Sequence, residues 1–222
     1  EIKLLIYFIT IDFILIIYYL TKKIIKKSME LKLKPTLYKI LLLCDTCVGK
    51  TNILIRYVDN TFPEIFYPTI GADYKLKNVY LNDGKMNKIQ IWDPPGAERS
   101  RAMVKSFCKG TDGMVFIYDI TDKKTFDNIR NWIKQIKVVV SEQVPMILVA
   151  NKIDSEERRV VTIEEGKKMA AEYNMMFFEC SAKTGENVEN AFNELVKKIV
   201  ENYSKNGGKK LTKNKSKNKG CA

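Results

Sequence analysis

The chain contains no histidine. That absence removes the usual Ser-His and Cys-His nucleophilic arrangements and leaves cysteine and carboxylate as the remaining zinc ligands. Cysteine is scarce too: Cys44, Cys47, Cys108, Cys180 and Cys221 are odd in number and form one C-x-x-C without a second. Such a set argues against a structural zinc site and a disulfide framework, and suits a reducing, cytosolic compartment. Acid is missing from the C-terminal end, where residues 205–222 hold seven lysines and no Asp or Glu. The net charge of +12 is therefore unevenly placed, with about +4 in residues 1–34 and about +1 left for residues 35–204. A nearly neutral centre with basic ends lacks the continuous stripe of a groove binder, so no nucleic-acid partner is expected. A lysine tail suits an anionic membrane surface instead, at about 1 kcal/mol per lysine. No internal repeat is evident, and 45% apolar residues suffice for a substantial core.

What is present is a set of short apolar runs, each followed by residues suited to phosphate or base. Tyr38–Leu43 runs into Cys44-Asp45-Thr46-Cys47-Val48-Gly49-Lys50-Thr51. A strand, a loop ending Gly-Lys-Thr and a following helix form a phosphate-binding layout, because helix N-terminal N–H groups and the helix dipole favour an anion there. Lys50 would reach the outer phosphates and the Thr51 hydroxyl would ligate Mg²⁺. The full pattern G-x-x-x-x-G-K-[ST] lacks its first glycine, since Cys44 stands there. Met146–Ala150 precedes Asn151-Lys152-Ile153-Asp154. The Asp154 carboxylate could accept from the ring N–H and exocyclic amine of guanine, a donor pair that adenine lacks, at about 1.5–3 kcal/mol per charge-assisted bond. Taken alone, Asp154 could equally cap a turn. Ser181-Ala182-Lys183 follows the strand candidate 177–180, and the Ala182 N–H would meet the guanine oxygen.

Between these lie Tyr67-Pro68-Thr69-Ile70-Gly71 and Trp92-Asp93-Pro94-Pro95-Gly96-Ala97-Glu98. With five motifs in this order, residues 36–204 resemble the Ras-like small GTPases, and Ile70–Tyr74, Ile89–Asp93 and Gly113–Thr121 resemble the Rab branch in particular. The resemblance implies a GTP/GDP switch in vesicle-mediated membrane traffic, peripheral on the cytoplasmic face of intracellular membranes. It implies nucleotide contacts from Asp45, Thr46, Cys47, Val48, Gly49, Lys50, Thr51, Phe62, Thr69, Gly96, Asn151, Lys152, Asp154, Ser181, Ala182 and Lys183. Mg²⁺ would be held by Thr51, Thr69 and, through water, Asp93. Phe62 would stack on guanine, against the plainer reading of a loop aromatic folded onto the core. Ile70, Tyr74, Trp92 and Phe107 would face effector proteins. An exchange factor, GDI-type escorts and a monomeric state follow from the same likeness.

Departures from the family pattern carry their own expectations. The family orients its attacking water with a Gln, and here Ala97 takes that position. Pro94 and Pro95 replace Thr-Ala, fixing φ near −65° and removing two N–H donors. Cys44 would cost about 1–2 kcal/mol if its position requires positive φ, whereas Cys47 is expected to be tolerated. Nucleotide binding with weak GTP hydrolysis is the resulting reading; a non-catalytic GTP-binding scaffold is the competing one.

The expected fold is α/β, a small G-domain of the P-loop class. Six strands near 38–43, 74–81, 86–92, 113–119, 146–150 and 177–180 alternate with five helices. Asn82-Asp83-Gly84 signals a hairpin, and hence one antiparallel edge strand on an otherwise parallel sheet. Thr162–Glu165 reads as a capping box, and Asn187–Tyr203 as an amphipathic helix. Three segments are expected: a hydrophobic and basic extension at 1–34, the G-domain at 35–204, and a disordered lysine-rich tail at 205–222. Leu4–Leu20 could form a short membrane helix. Against that, the first methionine is Met29, and Ile, Leu, Phe, Tyr and Lys dominate residues 1–28, so translated AT-rich non-coding sequence is the preferred account. Cys221, followed only by Ala222, is the candidate lipidation site.

Overall fold

A computed structural model describes residues 16–24, 36–63, 73–81, 84–94 and 106–209. The chain divides into two compact units, residues 1–36 and 37–222. In the first, residues 16–24 are helical with exposed side chains. No helix among the described residues is long and apolar enough to cross a membrane. Most of Leu4–Leu20, Asn82 and Asp83, and residues 210–222 with Cys221 lie outside the description.

The second unit is built on one six-stranded sheet. Its strands are β1 (Leu37–Leu43), β2 (Asp73–Tyr80), β3 (Met86–Asp93), β4 (Gly113–Asp119), β5 (Met146–Asn151) and β6 (Met176–Cys180). They lie in the order β2-β3-β1-β4-β5-β6. β2 pairs antiparallel with β3, from Asp73 opposite Asp93 to Tyr80 opposite Met86, while the other pairings are parallel. All seven residues of β4 are buried, and five of six in β5. Parallel strands covered on both faces read as unbroken apolar runs, which is why these two stand out in the sequence. β2 forms an edge and leaves Tyr74, Leu76 and Tyr80 exposed.

Helices cover both faces. On one, α1 (Lys50–Asp59) and α4 (Val188–Lys205) pack Ile53, Leu54, Tyr57, Phe192 and Leu195 onto Ile40, Leu42 and Val115. On the other, α2 (Lys123–Ile136) and α3 (Ile163–Glu172) bring Phe126, Ile129, Trp132 and Met169 to Leu41, Leu43 and Phe116. The Asp122 side chain caps α2 by accepting from the Lys124 N–H. The predicted capping box at α3 is formed in full: Thr162 accepts from the Glu165 N–H, and Glu165 reaches back to the Thr162 N–H. A 3-10 segment, Ile153–Arg158, follows β5. Of the five expected helices, four α-helices lie among the described residues. A further helical end at Ser106 and Phe107 follows residues outside them.

This topology places the carboxyl ends of β1, β3, β5 and β6 on one side of the sheet, where ligands of open α/β sheets bind. All the described motifs emerge there.

Candidate functional site

The loop from Cys44 to Gly49 leaves β1 and enters α1 through backbone that few residues adopt. Cys47 has φ 63° and Gly49 φ 88°. The expected strain at Cys44 is therefore corrected: Cys44 is absent from the left-handed region, and the non-glycine residue held there is Cys47, expected to be tolerated. Cys44 is instead 1% exposed within the core under α1, and burial drives its thiol pKa well above the usual range. Gly49 is required twice over. Its φ disfavours L side chains, and an added Cβ would come within 2.7 Å of the Asn151 Nδ2.

Three side chains from elsewhere, Trp132, Asn128 and Asn151, fix this loop. Asp45 accepts from Trp132 Nε1 at 2.9 Å and from Asn128 Nδ2 at 2.6 Å, both on α2. Its carboxylate thus serves the loop's own framework. Asn151, 1% exposed at the end of β5, donates to the Val48 carbonyl at 2.8 Å and accepts from the Ala182 N–H at 3.1 Å. One amide therefore joins the phosphate loop to the Ser181–Lys183 turn.

Lys50, Thr51 and Asp93 converge at the mouth of the loop. Lys50 donates to the Asp93 carboxylate and to the Pro94 carbonyl, and the Thr51 hydroxyl donates to Asp93 Oδ2 at 2.6 Å. Lys50 is 7% exposed and Asp93 1%, so both charges are nearly dry and the ion pair is one whose breaking would be expensive. A hydroxyl and a carboxylate side by side are hard oxygen donors of the kind Mg²⁺ takes. Together with the Gly49 cradle and the Lys50 cation, they fit a nucleotide phosphate and its metal.

On the other side of the loop, Lys152 (φ 71°) spans two partners, Asp119 Oδ2 at 2.6 Å and the Cys47 carbonyl at 3.0 Å. Asp154 is exposed, and its Oδ1 accepts from the Ser181 hydroxyl at 2.6 Å. Ser181 is fully buried; its Oγ also accepts from the Thr184 N–H at 3.0 Å. The Ala182 N–H, expected to face a guanine oxygen, is thus engaged by Asn151. Arg56, which sequence reasoning missed, donates from Nε to the Ala182 carbonyl at 2.9 Å and from Nη2 to the Lys183 carbonyl at 2.8 Å. Phe62 packs half-buried against the core. Thr46 and Lys183 are exposed. Thr69, Ile70, Pro95, Gly96 and Ala97 lie outside the described residues.

The three expected aromatics do meet. Tyr74 and Trp92 have ring centroids 5.1 Å apart, and Trp92 and Phe107 5.7 Å apart. Lys39 anchors the group: its amine lies 5.0 Å from the Trp92 ring centroid and donates to the Phe107 carbonyl at 2.6 Å. The Trp92 Nε1 is buried and has no acceptor among the described residues.

Similarity to known proteins agrees with this geometry. The sequence profile of the Ras family matches residues 39–201. The Ras-related protein RABE1d of Arabidopsis thaliana is 46% identical over 74% of this chain and 76% of its own length. The Ras-related protein Rab-8A of Bos taurus is 44% identical over 73% and 78%. The GTP-binding protein ypt2 of Schizosaccharomyces pombe is 42% identical over 77% and 85%.

Proposed function

The chain belongs to the Rab branch of the Ras family, the small GTPases of vesicle-mediated membrane traffic, and we propose that its hydrolysis step is slow and its GTP-bound state long-lived. The observation that carries nucleotide binding is Asn151, a buried amide that ties the Val48 carbonyl to the Ala182 N–H. It makes the phosphate loop and the base turn one rigid body, and preorganised donors bind without reordering at the moment of contact.

In this reading the N–H groups entering α1 receive the phosphates of GTP. The Lys50 amine, held here by Asp93 and the Pro94 carbonyl, is the cation that meets the outer phosphates. Thr51 and Asp93, joined by Thr69, would hold Mg²⁺. When bound, that ion neutralises charge on the phosphate oxygens. Asp154 selects guanine through its paired donors, and Ser181 fixes the carboxylate by a 2.6 Å bond. Loss of the outer phosphate would release the segments around Thr69 and Gly96, an order–disorder change that effectors read at Ile70, Tyr74, Trp92 and Phe107. Exchange factors and GDI-type escorts complete the set of partners. The Lys205–Lys219 tail, with or without a lipid on Cys221, would hold the protein on the cytoplasmic face of an anionic membrane.

Slow hydrolysis follows from residues 94–97. The Ala97 methyl cannot orient water, and Pro94 with Pro95 stiffens the segment that would bring another group into place. The competing reading, a scaffold that binds GTP without hydrolysing it, rests on the same positions. Single-turnover phosphate release separates them. The unmodified protein should release phosphate well below the rate of its relatives, and the triple variant Pro94→Thr, Pro95→Ala, Ala97→Gln should release it faster. Release by the unmodified protein at a relative's rate would refute slow hydrolysis. No release from either protein would favour the scaffold.

A further inference from the structure

We propose that Arg56 is a positioning residue for base recognition, acting through the Ser181–Lys183 turn to aim the Lys183 N–H at the carbonyl of the purine; this rests on the guanine-binding reading above. Arg56 sits near the end of the helix that begins with Lys50 and Thr51, and its guanidinium grips two consecutive carbonyls, Ala182 at 2.9 Å and Lys183 at 2.8 Å. In a trans peptide the C=O and N–H point in opposite directions. Drawing the Ala182 carbonyl onto Arg56 therefore turns the Lys183 N–H of the same peptide away from it.

The hydrogen bonds of the turn leave that group as its donor. The Ala182 N–H goes to Asn151 Oδ1 at 3.1 Å, the Thr184 N–H to Ser181 Oγ at 3.0 Å, and the Gly185 N–H to the Ser181 carbonyl at 2.9 Å. The Lys183 N–H has no acceptor among the described residues. Asp154, the expected reader of the guanine amine and ring N–H, is joined to the same turn through Ser181. Acceptor and donor thus sit on one framework, as recognition of a purine with a carbonyl beside a ring N–H demands.

A simpler role for Arg56 is to cap its own helix. A cation near a helix C-terminus is favourable, and Arg56 Nη1 does donate to the Asn60 carbonyl at 2.9 Å. Capping accounts for that bond but not for the two others, which reach 126 and 127 residues along the chain. The turn is also shaped around the side chain. Gly185 has φ 88°, and a Cβ there would come within 3.3 Å of Arg56 Cδ.

The test compares three diphosphates on the full chain by competition against a fluorescent GDP: GDP itself, inosine diphosphate and 2-aminopurine riboside diphosphate. Inosine lacks the amine that Asp154 reads, and 2-aminopurine lacks the carbonyl and with it the ring N–H, so the inosine ratio reports whether Asp154 itself has moved. In Arg56→Gln the preference for GDP over the 2-aminopurine nucleotide should fall by about three- to tenfold, the range of one net hydrogen bond. The preference for GDP over inosine diphosphate should stay within about twofold of the unmodified protein by the same scale. Arg56→Lys, which can supply one of the two bonds, should fall between. Equal loss in both ratios, or no change in either, would overturn the proposal and leave Arg56 a helix cap. Absence of GDP binding by the unmodified protein would instead overturn the guanine-binding reading beneath it.

Discussion

Replacing Asn151 by Ala removes a buried side chain that holds both halves of the site. Its amide is 1% exposed and its two partners, Val48 and Ala182, are 1% and 4% exposed. The lost bonds, 2.8 and 3.1 Å long, would leave a buried carbonyl and a buried N–H unpaired, at about 1–3 kcal/mol each. The truncation also opens room for water, which pulls the sum toward the lower end, so a destabilisation of about 2–4 kcal/mol is expected. A domain of this size has about 5–15 kcal/mol to lose and should remain folded. Its melting midpoint should drop by about 5–15 °C, at roughly 2–4 °C per kcal/mol. GDP affinity should fall at least about tenfold, since the phosphate loop and the base turn no longer move as one. Asn151→Asp is a sharper control. It keeps an acceptor for Ala182 but sets a carboxylate against the Val48 carbonyl, so it should be no better than Ala. Thermal melts with and without nucleotide, beside GDP titrations, measure both effects. A variant melting within about 2 °C of the parent, under about 1 kcal/mol on the same scale, with unchanged GDP affinity would refute the argument.

Two further outcomes follow from local geometry. Gly49→Ala meets a left-handed backbone and a 2.7 Å approach to Asn151 Nδ2. It should add about 1–2 kcal/mol of strain, displace Asn151, and weaken fluorescent-GDP binding more than it lowers the melting midpoint. Glu165, bonded to Lys123 and to the Thr162 N–H, has its pKa lowered from 4.5 to about 2. A depressed carboxylate stabilises the fold above the unfolded value and loses that contribution as pH falls toward about 2. Denaturant midpoints should therefore decline between pH 4.5 and 2 more steeply in the parent than in Glu165→Gln.

Much of this molecule was legible because its strands are short, bounded runs, of which β4 and β5 are buried on both faces. β4 spans the predicted residues, and the other five strands begin or end within a residue of expectation, since an apolar run bounded by polar loops leaves little choice of limits. The capping box at Thr162 was equally local. What escaped was long-range. Nothing near Asp45 signals that Trp132 and Asn128, more than eighty residues on, will take its carboxylate. Arg56 resembles any surface cation of an amphipathic helix until the fold brings Ala182 and Lys183 beside it. The condition attached to Cys44 fails for a related reason: the positive φ falls at Cys47 instead, leaving Cys44 as an apolar side chain in the core. The same long-range packing explains Ala182, whose N–H looks free in sequence but is taken by Asn151.

The central claim is that Lys50, Thr51, Asn151 and Asp154 form one guanine-nucleotide site. Calorimetric titration of the full chain with GDP and with ADP, each with and without Mg²⁺, tests it most directly. The account predicts saturable binding of GDP that strengthens with Mg²⁺, much weaker binding of ADP, and loss of the difference between the two bases in Asp154→Ala. No heat with GDP, or equal affinity for GDP and ADP, would contradict it.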